Sequence, residues 1–137
     1  MDPIYGYEAV NVEAQAREPN SLLNWMRRVL AARKTSRAFG RGKLSFLKPG
    51  NRKVLASLRE YGEETILCVA NLGRTAQPVE LDLRRFKGRV PVEMFGRVAF
   101  PPIGELPYLL TLTGSGFYWF RLSKDAEIGR ASCRERV

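Results

Sequence analysis

Histidine is absent from the 137 residues, and this decides most of the chemistry open to the chain. Without imidazole there can be no Ser/His/Asp triad, no Cys/His dyad and no His-based zinc site. The groups left to consider are fourteen Asp and Glu, five Tyr and two Cys. Glu63 and Glu64 are neighbours in a turn and project in different directions, so they make a poor acid/base pair and read as a solvated hairpin. Cys68 lies in the apolar run 65–71, where a thiol behaves as a small buried hydrophobe, and Cys133 is close to the C-terminus. No disulfide, metal or cofactor is expected, and no catalytic residue is assigned.

The elements that would position any functional group must fit a short, basic chain. With 45% hydrophobic and 27% charged residues it is too apolar for disorder, and no run approaches the roughly 18 apolar residues of a membrane span. A complete catalytic barrel of about 250 residues does not fit. The unpaired thiols suggest a cytoplasmic home, no membrane association is expected, and residues 1–7 have neither the basic nor the apolar region of a secretory signal. Residues 127–137 form a basic, aperiodic run that resembles the in-frame translation of a sequencing-adaptor DNA and is expected to be non-native. This run carries three Arg and two Glu, so setting it aside leaves the body basic, out of a net charge of +9.

Leu22, Leu23, Met26, Val29 and Leu30 recur at helical spacing and predict one amphipathic helix over about 20–34. Asn20 or Ser21 can cap its start, and Arg33 and Lys34 suit its C-terminal end. From residue 43 the period changes to two. Seven short runs, at 43–47, 52–60, 64–71, 78–83, 89–95, 108–113 and 116–122, are separated by Gly, Pro and Asn turns and predict an antiparallel sandwich. Residues 66–70 are apolar on both faces, which places that strand centrally, and Tyr61-Gly-Glu-Glu64 joins it to its neighbour as a hairpin. Pro101, Pro102 and Gly104 make 96–107 a loop.

The stretches 1–15, 21–28 and 33–34 resemble the last barrel loop and helix of the α-amylase superfamily. Pro49-Gly-Asn-Arg-Lys-Val-Leu55, Cys68-Val-Ala-Asn-Leu72, Gln77-Pro-Val-Glu-Leu-Asp-Leu83 and Phe117-Tyr-Trp-Phe-Arg-Leu122 are similar to the C-terminal part of the trehalose synthase family, the maltose α-D-glucosyltransferases. The resemblance covers residues 1–126. It implies a mainly β fold, an amylase-type antiparallel β-sandwich over 42–124, preceded over 1–40 by a loop and one amphipathic helix left from a (β/α)8 barrel, with 125–137 as tail. It also implies that the partner of this piece is a missing upstream catalytic barrel of the same protein, that maltose and trehalose are ligands of the intact enzyme, and that the intact enzyme has scope to form homo-oligomers.

The implied reaction is an intramolecular transglucosylation by a nucleophile and an acid/base carboxylate roughly 5–5.5 Å apart, both on upstream barrel strands. None of the three aspartates, Asp2, Asp82 and Asp125, sits in such a motif, so the chain alone is expected to be inactive. Tyr5 and Tyr7 are the candidate substrate-binding residues, as rings that stack on sugar at the end of the barrel loop; the plainer role is packing of that loop. Asn11, Glu13 and Gln15 divide in the same way between reaching substrate and satisfying loop backbone.

Residues 27–43 hold Arg27, Arg28, Arg33, Lys34, Arg37, Arg41 and Lys43 with no acid. A nucleic-acid face would look like this, but so does a solvated helix end, and no binding motif accompanies it, so no nucleic-acid partner is expected. Phe117, Tyr118, Trp119 and Phe120 must alternate between core and outer face. The competing reading, a free-standing carbohydrate-binding β-sandwich module, would use the outward aromatics. Expressed alone, the chain is expected to expose its apolar helix face and aggregate, so residues 42–124 should be more soluble than the whole chain. Equal solubility in a sedimentation assay contradicts this.

Overall fold

The structure, a computed structural model, describes residues 12–124. Tyr5, Tyr7, Asn11 and the run 127–137 lie outside them. The chain divides into two compact units between Ser36 and Arg37.

In the first unit helix α1 (Val12–Arg17) is followed by helix α2 (Leu22–Lys34). The second is the helix expected from the periodicity, and Ser21 caps it. The Ser21 hydroxyl accepts from Asn24 N at 3.2 Å and donates to the Gln15 carbonyl at 2.6 Å. The Asn24 amide then donates to the carbonyls of Gln15, Ala16 and Glu18, closing the C-terminal end of α1. The six-residue α1 is too short to show a period, so the sequence reads it as loop. No residue of either helix is buried, and Leu22 is 68% exposed.

The second unit contains helix α3 (Ala38–Arg41) and seven strands: β1 (Lys43–Leu47), β2 (Val54–Tyr61), β3 (Glu64–Asn71), β4 (Gln77–Leu81), β5 (Val90–Glu93), β6 (Tyr108–Leu112) and β7 (Phe117–Ser123). All pairings are antiparallel, in one sheet ordered β1-β2-β3-β7-β5 and a second sheet of β4 and β6. Strand β3 is central, as its apolar composition on both faces requires. The β2–β3 hairpin turns through Gly62 at φ 60°, a conformation that suits glycine.

The core lies between the sheets. Leu58, Leu67, Val69, Phe120 and Leu122 come from the larger sheet and Val79, Leu81, Leu110 and Leu112 from the smaller; Leu83, Phe86 and Ile103 close the sides. Burial of each large side chain contributes about 1.5–3 kcal/mol. Helix α3 belongs to this unit because Ala38 and Phe39 pack on Ile66. A cut at residue 42 therefore strips part of the sheet's cover, whereas one at 37 keeps it.

The chain crosses between the sheets four times, and two of those connections, from β3 to β4 after Asn71 and from β6 to β7 before Phe117, meet at one buried amide. Asn71 is 3% exposed. Its Nδ2 donates to the carbonyls of Thr75 at 2.8 Å and Thr113 at 3.0 Å, and its Oδ1 accepts from Gly73 N at 2.9 Å. Its backbone N–H donates to the Gly116 carbonyl at 2.8 Å. Gly114 sits against this corner so closely that a Cβ would lie 2.1 Å from the Arg74 carbonyl oxygen.

Asn71→Leu keeps the volume but leaves a backbone donor and two carbonyls without their partner. Urea unfolding is expected to show a loss of about 2–4 kcal/mol, and a loss under about 0.5 kcal/mol contradicts the assignment. Tyr108, whose hydroxyl donates to the Pro101 carbonyl at 2.7 Å, is pushed above its ordinary value of 10.0 by burial. The folded chain thus keeps a proton that the unfolded chain gives up near pH 10, so this stabilisation is full below that pH and is lost as pH rises above it. Tyr108→Phe is expected to cost about 1 kcal/mol at neutral pH and to flatten the alkaline decline of stability. An unchanged alkaline profile contradicts it.

Candidate functional site

The outer face of the larger sheet, away from the core, is the candidate site. Register carries one row across it: Phe46 opposite Ser57, Ser57 opposite Cys68, and Cys68 opposite Trp119. The flanking rows are Leu44, Arg59, Ile66 and Arg121 on one side and Leu55, Ala70 and Phe117 on the other. A face open to water would alternate polar residues here; this one is largely apolar.

Two short segments cover its middle. Gly42, where a Cβ would fall 2.3 Å from the Ala38 carbonyl oxygen, ends α3 abruptly and feeds β1. The helix thereby lays Phe39 against Trp119, with ring centroids 4.8 Å apart. Phe95 stands 5.2 Å from Trp119 and 5.7 Å, edge-on, from Phe117. Phe95 is held there by a turn that the Glu93 carboxylate closes, accepting from the backbone N–H groups of Phe95 at 2.8 Å and Gly96 at 2.5 Å.

The expected alternation along β7 is therefore present. Tyr118 and Phe120 turn inward, where Phe100 meets their rings at 5.4 and 4.8 Å, while Phe117 and Trp119 turn outward. Trp119 is half-buried and in ring contact with Phe39 and Phe95. Its indole ring is already engaged by Phe39, Phe95 and Phe117, which disfavours use of this ring as an open platform for sugar stacking.

Several carboxylates of the described residues are engaged by nearby cations. Glu64 lies 3.9 Å from Arg121 and Glu63 3.9 Å from Lys124. Asp82 is exposed and held below its ordinary value by the Arg84 side-chain hydrogen bond, which in turn raises Arg84. Among the described residues no three His, Cys, Asp or Glu come together as metal ligands. Cys68 carries a half-buried thiol.

The polar residues ahead of α2 are occupied locally. Glu13 pairs with Arg17 at 2.8 Å, and Gln15 Oε1 accepts from Leu23 N at 3.1 Å. In the basic stretch Arg28 is bound to the Pro19 carbonyl, and its seven cations are split between the two units. Tyr5, Tyr7 and Asn11 fall outside the described residues. Sequence reasoning missed Phe39 and Phe95, which lie far from Trp119 along the chain; only the apolar character of residues 38–39 just before β1 gave a signal.

A family model described as the maltogenic amylase C-terminal domain matches residues 44–119. The chain is 56% identical over 134 residues to a trehalose synthase from Pimelobacter sp. (strain R48), covering 95% of this chain and 23% of that protein. It is 51% identical over 132 residues to a trehalose synthase/amylase of Mycobacterium tuberculosis (strain CDC 1551 / Oshkosh), covering 94% of this chain and 22% of that protein. The chain thus spans less than a quarter of the length of these relatives. Among solved structures an α-amylase from Geobacillus thermoleovorans, complexed with acarbose, superposes with TM-score 0.69 at 17% identity, over 79% of this chain and 24% of that one. That likeness shows the fold.

Trp119→Ala removes the ring that Phe39 and Phe95 grip. It is expected to lower stability by about 2–4 kcal/mol without altering retention on a glucan column. Saturable glucan binding that disappears in this variant would contradict the packing role.

Proposed function

The chain belongs to the maltogenic amylase C-terminal domain family, and from this we propose that it is the structural C-terminal portion of an enzyme that interconverts maltose and trehalose. One observation carries the proposal: nearly the whole chain matches trehalose synthases at 51–56% identity, yet it accounts for only 22–23% of their length. The catalytic portion then lies upstream in the same protein.

A carboxylate there attacks the anomeric carbon of maltose. Glucose leaves but stays enclosed, and its own anomeric hydroxyl attacks the glucosyl-enzyme to give trehalose. Retaining chemistry of this kind needs two carboxylates about 5–5.5 Å apart. The engagement of the acids here supports that reading: Asp82 is bound to Arg84, Glu93 closes a turn, and Glu64 and Glu63 lie 3.9 Å from Arg121 and Lys124.

The sandwich in this reading stabilises the catalytic portion. Helix α2, with no buried residue, is the part of that portion retained here, and Tyr5 and Tyr7 belong to its substrate-facing loop. Cytoplasmic location and homo-oligomer contacts of the intact enzyme belong to the same proposal; among the described residues no helix is long and apolar enough to cross a membrane.

The test is a graft of this chain in place of the matching segment of the Pimelobacter enzyme. The graft is expected to convert maltose to trehalose, and the 137-residue chain alone to convert none. Trehalose formation by the chain alone, or a graft without activity, contradicts the proposal.

A further inference from the structure

We infer that the end of the sandwich built from loops 48–53, 72–76 and 113–116 docks an acidic segment of a partner protein, one that presents carboxylates around an apolar side chain. This goes beyond the function proposed above and does not rest on it. Strands β1, β3 and β6 finish at this end and β2, β4 and β7 begin there, whereas the chain enters β1 from Gly42 at the opposite end. The three loops are tied to one another. Asn51 Nδ2 donates to Gln77 Oε1 at 3.0 Å and to the Pro78 carbonyl at 2.9 Å. The backbone N–H of Leu72 donates to the Lys53 carbonyl, and that of Ser115 to the Gly73 carbonyl, each at 2.8 Å. What these loops carry is therefore held in one place.

They carry Lys48, Arg52, Lys53 and Arg74, all exposed, and no Asp or Glu. Among the described residues none of the four has an ion-pair partner. Elsewhere in this unit cations are matched: its ion pairs gather at the opposite end, around the β2–β3 hairpin and the segment 82–87. The fold thus segregates unmatched positive charge at one end, and a potential of that kind attracts carboxylates and steers their approach. Leu72, 71% exposed, lies in the middle loop and adds an apolar contact that a free anion would leave unused. The loops hold no aromatic residue, so nucleobases and sugars find no ring to stack on. An acidic peptide with an apolar side chain among its carboxylates satisfies both features.

The test is fluorescence anisotropy at low salt with the 137-residue chain and a fluorescein-labelled peptide in which one leucine is flanked by glutamates. Arg52→Glu combined with Arg74→Glu is expected to weaken binding at least about tenfold. Arg27→Glu combined with Lys34→Glu makes the same change in net charge on α2 and is expected to weaken it less than about threefold. Leu72→Ser should weaken it about threefold. Both double variants should keep the urea midpoint of the parent; if the first does not fold, Arg52→Gln with Arg74→Gln takes its place, with the same direction of effect. Absence of saturable binding overturns the inference, as does an equal loss in the two double variants, which would assign binding to overall charge. Inorganic polyphosphate that binds more tightly than the peptide and is indifferent to Leu72→Ser overturns it in favour of a phosphate site. Each of these outcomes leaves the proposed function standing.

Discussion

The architecture depends on a single side-chain amide at the corner where the chain changes sheets. Two antiparallel sheets can share a core only if the crossing segments bury little unpaired backbone, since each orphaned N–H or C=O costs about 1–3 kcal/mol. Asn71 meets that requirement for two of the four crossings at once, donating to Thr75 on the path from β3 to β4 and to Thr113 on the path from β6 to β7, and accepting from Gly73. Serine is too short to span the same distance, and aspartate would offer no donor. Gly114, backed onto Arg74, lets the two paths approach closely enough for the amide to reach both.

With the corner fixed, the register of β3 and β7 follows, and register determines what each face of the larger sheet presents. Leu67, Val69, Tyr118 and Phe120 turn to the core; Ile66, Cys68, Phe117 and Trp119 turn away from it. A sheet apolar on both faces needs a second layer on the outside, and the second unit supplies only part of one, in Ala38, Phe39 and Phe95. The uncovered remainder on β1 and β2 has the character of a core surface lacking its opposite layer. In this respect the larger sheet and helix α2 are alike: each carries apolar residues that the described chain leaves exposed.

Much of this was legible in the sequence because it rests on period. Alternation of apolar residues with Gly and Pro punctuation located all seven strands, with ends displaced by one or two residues, and the 3.6-residue period located α2. Helices α1 and α3, of six and four residues, are too short to carry a period, and α3 is held by tertiary contact of Phe39 with Trp119 rather than by propensity. The outward half of the β7 aromatics could be read from alternation, but not the rings that meet it, since Phe39 and Phe95 are brought in by the fold. Nor did anything local mark Asn71, a polar residue ending an apolar strand, as the residue that ties two of the crossings together.

The central claim is that this chain is the structural end of a longer, maltose-converting protein. The most direct measurement is to amplify and read the source DNA across both ends of the reading frame. The account predicts an open frame running upstream of Met1 through a catalytic barrel with its pair of carboxylates, and other sequence in place of residues 127–137. A stop codon immediately before Met1 would contradict it, leaving a free-standing β module whose exposed β1–β2 face must serve some other partner.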